Sequence, residues 1–295
     1  MKPKQNIMPT RIIRTHDDGN RFRVKPSQSK PSQAKLNQAN ASKAEQKEAS
    51  SLTTAHLQYW SAYFDLEINQ LHTNKIYCVP HKGLADYQGL WFFQYQDKLI
   101  ASLPADPHDQ FLKLKRQIES MGCDPFKSPN RLLSYFSEFS PVLIGPAYHG
   151  ELDPLRFSPY HGDDVREVSF EAVQAFDYHD DPQGWHHSGC DQNKPFFAGI
   201  EIDSQDAQDT QLVALANYSR LSQRLIFPGI YTHASYRGRG LSTKVLSYLF
   251  EHALSQDWVV AYQTLYSNQA AIKVAERLGV SPYAKHIAIR LSYPV

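Results

Sequence analysis

At 295 residues the chain exceeds a minimal domain and fits one large or two ordinary domains. Its 31 Lys+Arg against 30 Asp+Glu leave a net charge of +1, so composition as a whole points to neither a nucleic-acid nor a membrane partner. Cys78, Cys123 and Cys190 are odd in number, widely spaced and without a C-x-x-C pair; this excludes a disulfide framework and a cysteine zinc site and suits a reducing, cytoplasmic compartment.

The first 50 residues hold 11 Lys+Arg against 4 Asp+Glu and nearly lack aromatics. Such a segment cannot bury enough apolar surface to offset its ordering entropy, so residues 1–52 are expected to be a disordered basic tail. A basic arm for nucleic acid needs interleaved aromatics, and Phe22 alone is poor support. The N-terminus also lacks the apolar core of a secretory signal, and no apolar run approaches the roughly 18 residues of a membrane span.

From Thr53 the pattern becomes globular. Residues 55–71 predict a helix with an aromatic face (Tyr59, Trp60, Tyr63, Phe64), which reads as core. Residues 76–79 and 90–95 predict strands, and Gln96-Asp97-Lys98 a hairpin turn into 99–103. Pro107 precedes a helix over 111–121 halted at Gly122, and a shorter one follows over 129–136. A strand over 142–144 is expected to close at Gly145-Pro146. Residues 53–150 therefore form an N-terminal α/β domain without a Gly-rich phosphate loop, and residues 151–165, with Pro154, Pro159, Gly162 and three aspartates, read as a linker.

A helix over 169–178 leads into Asp180-Asp181-Pro182-Gln183-Gly184-Trp185-His186-His187. Adjacent histidines do not share a helix face and no second cluster closes a site, so no metal is expected. Ile200 and Ile202 alternate with Glu201 and Asp203, giving a strand with one apolar and one acidic face. Residues 205–210 turn the chain and 211–218 return as the next strand.

The most informative stretch runs from Leu225 to Gly279. An apolar strand over 225–232 is interrupted by Pro228-Gly229; proline cannot donate to a ladder, so a bulge or a splay is expected there. Arg237-Gly238-Arg239-Gly240-Leu241-Ser242 follows, opening an amphipathic helix with Leu241, Val245, Tyr248, Leu249 and Ala253 at threes and fours. Glycines permit positive φ and close backbone approach, and the first N–H groups of a helix favour an anion, most often phosphate. Arg237 and Arg239 add charges suited to phosphate oxygens. A second strand spans 258–265, and a second helix opens near Asn268 and closes at Gly279.

This arrangement resembles the GNAT superfamily of acyl-CoA N-acyltransferases. Arg237, Gly240 and Ser242 fill its Arg/Gln-x-x-Gly-x-Gly/Ala loop, Ser242 replacing the usual Gly or Ala; Asn268 matches its asparagine, and Leu278-Gly279-Val280 its Leu-Gly-aromatic ending without the aromatic. The resemblance covers about residues 195–290. It implies a mixed α/β (α+β) fold: a twisted, mostly antiparallel sheet with a splayed central strand pair, flanked by helices. Residues 151–295 would be the acetyltransferase domain and 53–150 a smaller, degenerate half of similar kind. It implies acetyl-CoA as donor, held by Ile230, Tyr231, Thr232, Arg237, Gly238, Arg239, Gly240, Leu241, Ser242 and Asn268, with the backbone of 230–232 pairing with the pantetheine arm and an N–H near Tyr231 or Thr232 stabilising the oxyanion.

The implied reaction is direct attack by the amine of a small molecule or peptide on the thioester. The family's tyrosine seven residues after the asparagine is Ala275 here. Tyr262, Tyr266 and Ser267 are the substitutes for the acid, and Glu201, Asp203 and His233 the candidates for the base. Neither a membrane nor a nucleic-acid partner is expected. The alternatives are a non-catalytic acyl-CoA-binding scaffold, and an acetyltransferase directed to RNA by the basic tail.

Overall fold

The computed structural model describes residues 55–292 except 74, 82–88, 105–109, 123, 177, 192–193, 195–196 and 204–209. The expected basic tail and the turn at 205–210 lie outside or largely outside the described residues. From His56 onward the chain is one compact unit.

Among the described residues ten strands form a single sheet. In chain order they are β1 (Ile76–Pro80), β2 (Gly89–Tyr95), β3 (Lys98–Leu103), β4 (Val142–Leu152), β5 (Arg166–Glu167), β6 (Phe197–Asp203), β7 (Thr210–Arg220), β8 (Leu225–Thr232), β9 (Val259–Leu265) and β10 (Val280–Arg290). Their order across the sheet is β1-β3-β2-β10-β4-β9-β8-β7-β6-β5. Only β1/β3 and β8/β9 are parallel. The mixed, mostly antiparallel sheet expected from the sequence is therefore present.

The expected division at residue 150 falls inside β4, which pairs with β9 on one side and β10 on the other. The last strand of the chain lies between β2 and β4 and so stitches the two halves into one sheet. Gly145-Pro146 does not close β4, contrary to expectation. The strand runs through the pair, and the register against β10 shifts between His286 and Ala288, the kind of irregularity at which a sheet admits proline. The helix expected over 55–71 also stops early: α1 covers residues 55–64, and a 3₁₀ turn at Ile68–Gln70 follows.

The remaining helices are α2 (Gln110–Ser120), α3 (Pro129–Tyr135), α4 (Phe170–Gln174), α5 (Pro182–His187), α6 (Leu241–Ser255) and α7 (Gln269–Arg277). α6 is the crossover that a parallel β8/β9 pair requires. Its Val245, Leu246, Leu249, Phe250 and Ala253 are buried against Ala214, Ala216, Ile226 and Val260. On the same face, α2 and α3 cover Leu90, Phe92, Ile287 and Ile289. The opposite face carries α4 and α5 over Leu212, Leu215 and Tyr231. It also carries α1, whose Trp60 ring lies 4.4 Å from that of Phe93 and 5.4 Å from that of His149.

This aromatic layer encloses imidazoles. His56, His149 and His286 are buried, and His149 Nε2 lies 2.6 Å from His286 Nδ1, so one ring donates and the other accepts. His81 is buried beside Ser102 and the Gly89 carbonyl. Burial depresses all four: His56 and His286 to about 3, His81 to about 4, and His149 well below the ordinary value of 6.5, with His286 and His56 adding repulsion. The unfolded chain then binds protons that the native chain refuses. Stability from these groups is complete above pH 6.5 and falls as pH drops below it, by up to about 1.4 kcal/mol per pH unit for each imidazole. Glu151, pushed up to about 7 by burial and then by Asp153, has the opposite sign, its contribution being lost as pH rises toward 7. Four imidazoles outweigh one carboxyl. Urea titrations at pH 7, 6 and 5 should show the midpoint falling with pH, and a constant midpoint would contradict this reading of the core.

Candidate functional site

β8 and β9 begin side by side and then part. They pair only through Leu225/Val259 and Ile226/Val260, although they extend to Thr232 and Leu265. The cause is local. His233 N–H bonds to Val213 C=O and Leu221 N–H to Leu225 C=O, so the odd residues of β8 face β7 and the even ones face β9. The next donor β8 would offer β9 is therefore the amide of residue 228, and proline has none. The register against β7 continues without a bulge, so the outcome at Pro228-Gly229 is a splay.

The same alternation sorts the backbone groups expected to meet a ligand. Those of Tyr231 face β7 and pair with Leu215, so they are not on the open edge; this corrects the expectation for Tyr231. On that edge, Ile230 N–H donates to Ser188 C=O at 3.0 Å and Thr232 C=O accepts from Arg237 Nε at 3.1 Å. Ile230 C=O and Thr232 N–H share this edge by the same alternation.

Past β8 the chain makes a 3₁₀ turn (Ala234–Tyr236), in which Ser235 N–H donates to His233 Nδ1, and enters the glycine loop. Gly238 and Gly240 have φ of +77° and +78°, a region that side-chain-bearing residues rarely adopt, with open space where a Cβ would be. Gly240 is the N-cap of α6 and supplies no side chain, while its carbonyl accepts from both Thr243 and Lys244. The first-turn amides of α6 thus project from an uncapped helix end, with the dipole behind them. Ser242 Oγ lies 2.9 Å from Thr232 Oγ1, which ties the helix start to the end of β8. The hydroxyl that departs from the motif has a structural use.

The basic residues divide by their partners. Arg237 is paired to Asp181 and lies over the Tyr231 ring. Lys244 Nζ lies 2.6 Å from Asp164. Arg239 stacks 5.0 Å from the Tyr236 ring centroid and makes no ion pair among the described residues. The Arg237 guanidinium and then the Gly184 amide hold the Asp181 carboxyl below the usual carboxylate range.

Asp181 belongs to the segment on the opposite face. It caps α5 through Gly184 N–H at 2.9 Å, directly before Pro182. Trp185 stacks on Tyr178 at 4.7 Å and meets Tyr231 edge-on at 5.4 Å. Beyond α5, Gly189 lies so close to Gly229 that a Cβ on Gly229 would sit 2.3 Å from the Gly189 oxygen. The sequence grouped Asp181 with His186, His187 and Cys190. Among the described residues no such group can hold a metal, and Cys190 is buried near Leu215 C=O. The Asp-Pro pair, a helix-start signal, was the cue to a carboxylate fixed at this place.

The remaining expected residues scatter. Asn268 Oδ1 caps α7 by accepting from Ala271 N–H. Tyr262 is buried and its hydroxyl donates to Ala271 C=O at 3.3 Å. Glu201 is ion-paired to Arg166, and Ala275 is fully buried in the core. Tyr266 is half-buried at the end of β9, its ring 5.8 Å from that of Tyr148 and its N–H on Pro146 C=O. Ser267, beside it, is exposed and His233 half-exposed; Asp203 ends β6.

The Gly189 contact carries a stability prediction. Gly229→Ala should lower the unfolding free energy by about 1–3 kcal/mol, because the clash is with backbone and must be relieved by moving it. An unchanged denaturation midpoint would show that residues 188–190 are not seated on β8.

A model described as acetyltransferase (GNAT) family matches residues 163–280. No curated protein matches the chain. Among solved structures, a GNAT-family protein from Novosphingobium aromaticivorans is 19% identical, with 52% of this chain and 68% of that one covered at a TM-score of 0.39. A GNAT-family acetyltransferase from Colwellia psychrerythraea is 16% identical, with coverages of 65% and 76% and a TM-score of 0.42. A GCN5-related N-acetyltransferase from Kribbella flavida is 15% identical, with coverages of 55% and 63% and a TM-score of 0.39. The matched segment contains both the splayed strand pair and the glycine loop. Residues 163–280, about two-fifths of the chain, thus carry a match to the acetyltransferase (GNAT) family.

Proposed function

We infer that the protein transfers an acetyl group from acetyl-CoA to the amine of a small molecule or peptide. The observation that carries this is the conjunction of the β8/β9 splay with an uncapped, glycine-bounded helix start at its open end. An extended amide-bearing arm would lie along the β8 edge, and a diphosphate would meet the α6 amides and Arg239. Asn268 would border the same mouth from the start of α7. The membrane has no part in this reading, and no helix among the described residues is long and apolar enough to cross one.

The chemistry asks for attack geometry, stabilisation of an oxyanion and proton management. Thr232 N–H, on the open edge, is the amide we assign to the oxyanion. For the proton returned to the leaving thiolate we assign Tyr266. Its phenol is protonated at neutral pH, and burial raises it further above the ordinary value. Tyr262 is less suited because its hydroxyl is held by Ala271, and Glu201 because Arg166 occupies it.

Two measurements test the reading. Gly240→Asp places a carboxylate at the anion position without filling occupied space, and should weaken acetyl-CoA binding by calorimetry at least about tenfold in a protein whose circular dichroism is unchanged. Wild-type protein that binds no acetyl-CoA would sink the assignment. Tyr266→Phe should lower kcat by about 10²-fold or more in an amine screen with the KM for acetyl-CoA little changed; equal kcat would remove Tyr266 from the mechanism.

A further inference from the structure

The segment from Asp181 to Cys190 engages two groups that the acetyl-CoA reading gives to the donor. At one end the Asp181 carboxylate pairs with Arg237, beside the proposed diphosphate position. At the other, the Ser188 carbonyl accepts from Ile230 N–H on the edge that opens toward β9. Between them, Trp185 packs against Tyr178 and Tyr231, and Gly189 rests on Gly229, the close approach made possible by the missing side chain. A carboxylate on a guanidinium and a carbonyl on a strand-edge amide are the two chemical features of an acyl-CoA, a phosphate oxygen and an amide or thioester carbonyl, spaced along one stretch of chain.

We propose that residues 181–190 form a strap that occupies the donor site in place of acyl-CoA and is displaced when acyl-CoA binds. The proposal rests on the acetyl-CoA reading above. Its energetic scale is small enough for a switch. The Arg237–Asp181 pair is half-exposed on the arginine side, and α5 is a six-residue helix. A ligand that supplies both an anion and a carbonyl offers replacements for both polar contacts, so the cost of exchange lies in the packing of Trp185, of buried Cys190 and of Gly189 on Gly229.

The decisive variant is Asp181→Asn. Asparagine caps a helix as well as aspartate does, so Gly184 N–H keeps its partner and α5 its start, while the negative charge that faces Arg237 is removed. Calorimetric titration of the full chain with acetyl-CoA should give a Kd about two- to five-fold lower for Asp181→Asn than for wild type, the range expected for losing a competing exposed ion pair. Hydrogen exchange of the unaltered chain gives an independent reading. On saturation with acetyl-CoA, amides over 182–190 should exchange faster while those over 238–243 slow. Wild-type binding with an equal or weaker Kd in the Asn variant, or with increased protection of 182–190, would overturn the strap and leave the donor site standing. Absence of acetyl-CoA binding by both proteins would overturn the donor site and the strap together.

Discussion

Residue 228 has no amide proton, and the arrangement of the site depends on that. Two parallel strands joined by a helical crossover would ordinarily zip along their shared length, each even residue of β8 giving an N–H to β9. Pro228 withholds the donor one step after the ladder begins, and the strands diverge. Each unmade backbone bond leaves polar groups that must find water, protein or ligand. In this structure the Ile230 amide finds Ser188 and the Thr232 carbonyl finds Arg237. The opening is therefore a row of backbone groups with interchangeable partners, which is what an extended amide-bearing ligand needs in order to enter.

The divergence is tolerated because the strands on either side are held elsewhere. β8 is fixed along its whole length by β7, in unbroken register from Ala214/Thr232 to Arg220/Ile226. β9 is fixed on its far edge by β4, from Ala147/Leu265 to Glu151/Ala261. β4 in turn is locked by β10, the strand that closes the sheet between the two halves. Non-local pairing of this kind forms late and at an entropic cost, but it lets the N-terminal half buttress β9 without supplying any group to the loop. The residues before 150 thus act on the site through a strand rather than as a separate module.

Much of this was legible in the sequence, and the failures have physical reasons. The glycine loop, α6 and the break at Pro228-Gly229 were readable because each rests on a local rule: positive φ, helical periodicity and a missing donor. The domain boundary at 150 was not, because β4 looks like a strand ended by Gly-Pro when read locally, and only its pairing with β9 and β10 shows that it continues. Tyr231 was placed on the ligand edge because the family resemblance took 230–232 as one run; the parity of a strand, set by the β7 register, turned it away. Asp181 was grouped with histidines by proximity in sequence, whereas its place is set by a cap and by Arg237, 56 residues on. Local rules find elements, and long-range pairing decides which atoms of those elements meet.

Charge at the loop shows why that distinction matters for function. Counted in sequence, Arg237, Arg239 and Lys244 give the helix start three positive charges. In the structure Asp181 and Asp164 neutralise two of them, which leaves Arg239 and the helix amides as the standing attraction for an anion. A helix N-terminus contributes roughly 0.3–1 kcal/mol toward a nearby charge, and an exposed ion pair about the same. Neither side dominates, so a diphosphate that displaces Asp181 from Arg237 gains a charge contact close in size to the one it breaks. On the proposed donor reading, net affinity would come from the parts of a ligand that the strap does not imitate: a second phosphate on the α6 amides, and the length of an arm along β8 beyond Ile230. A site balanced in this way would discriminate by extent, since a short anion would replace one contact at no gain while a long amide-bearing diphosphate would replace two and add several.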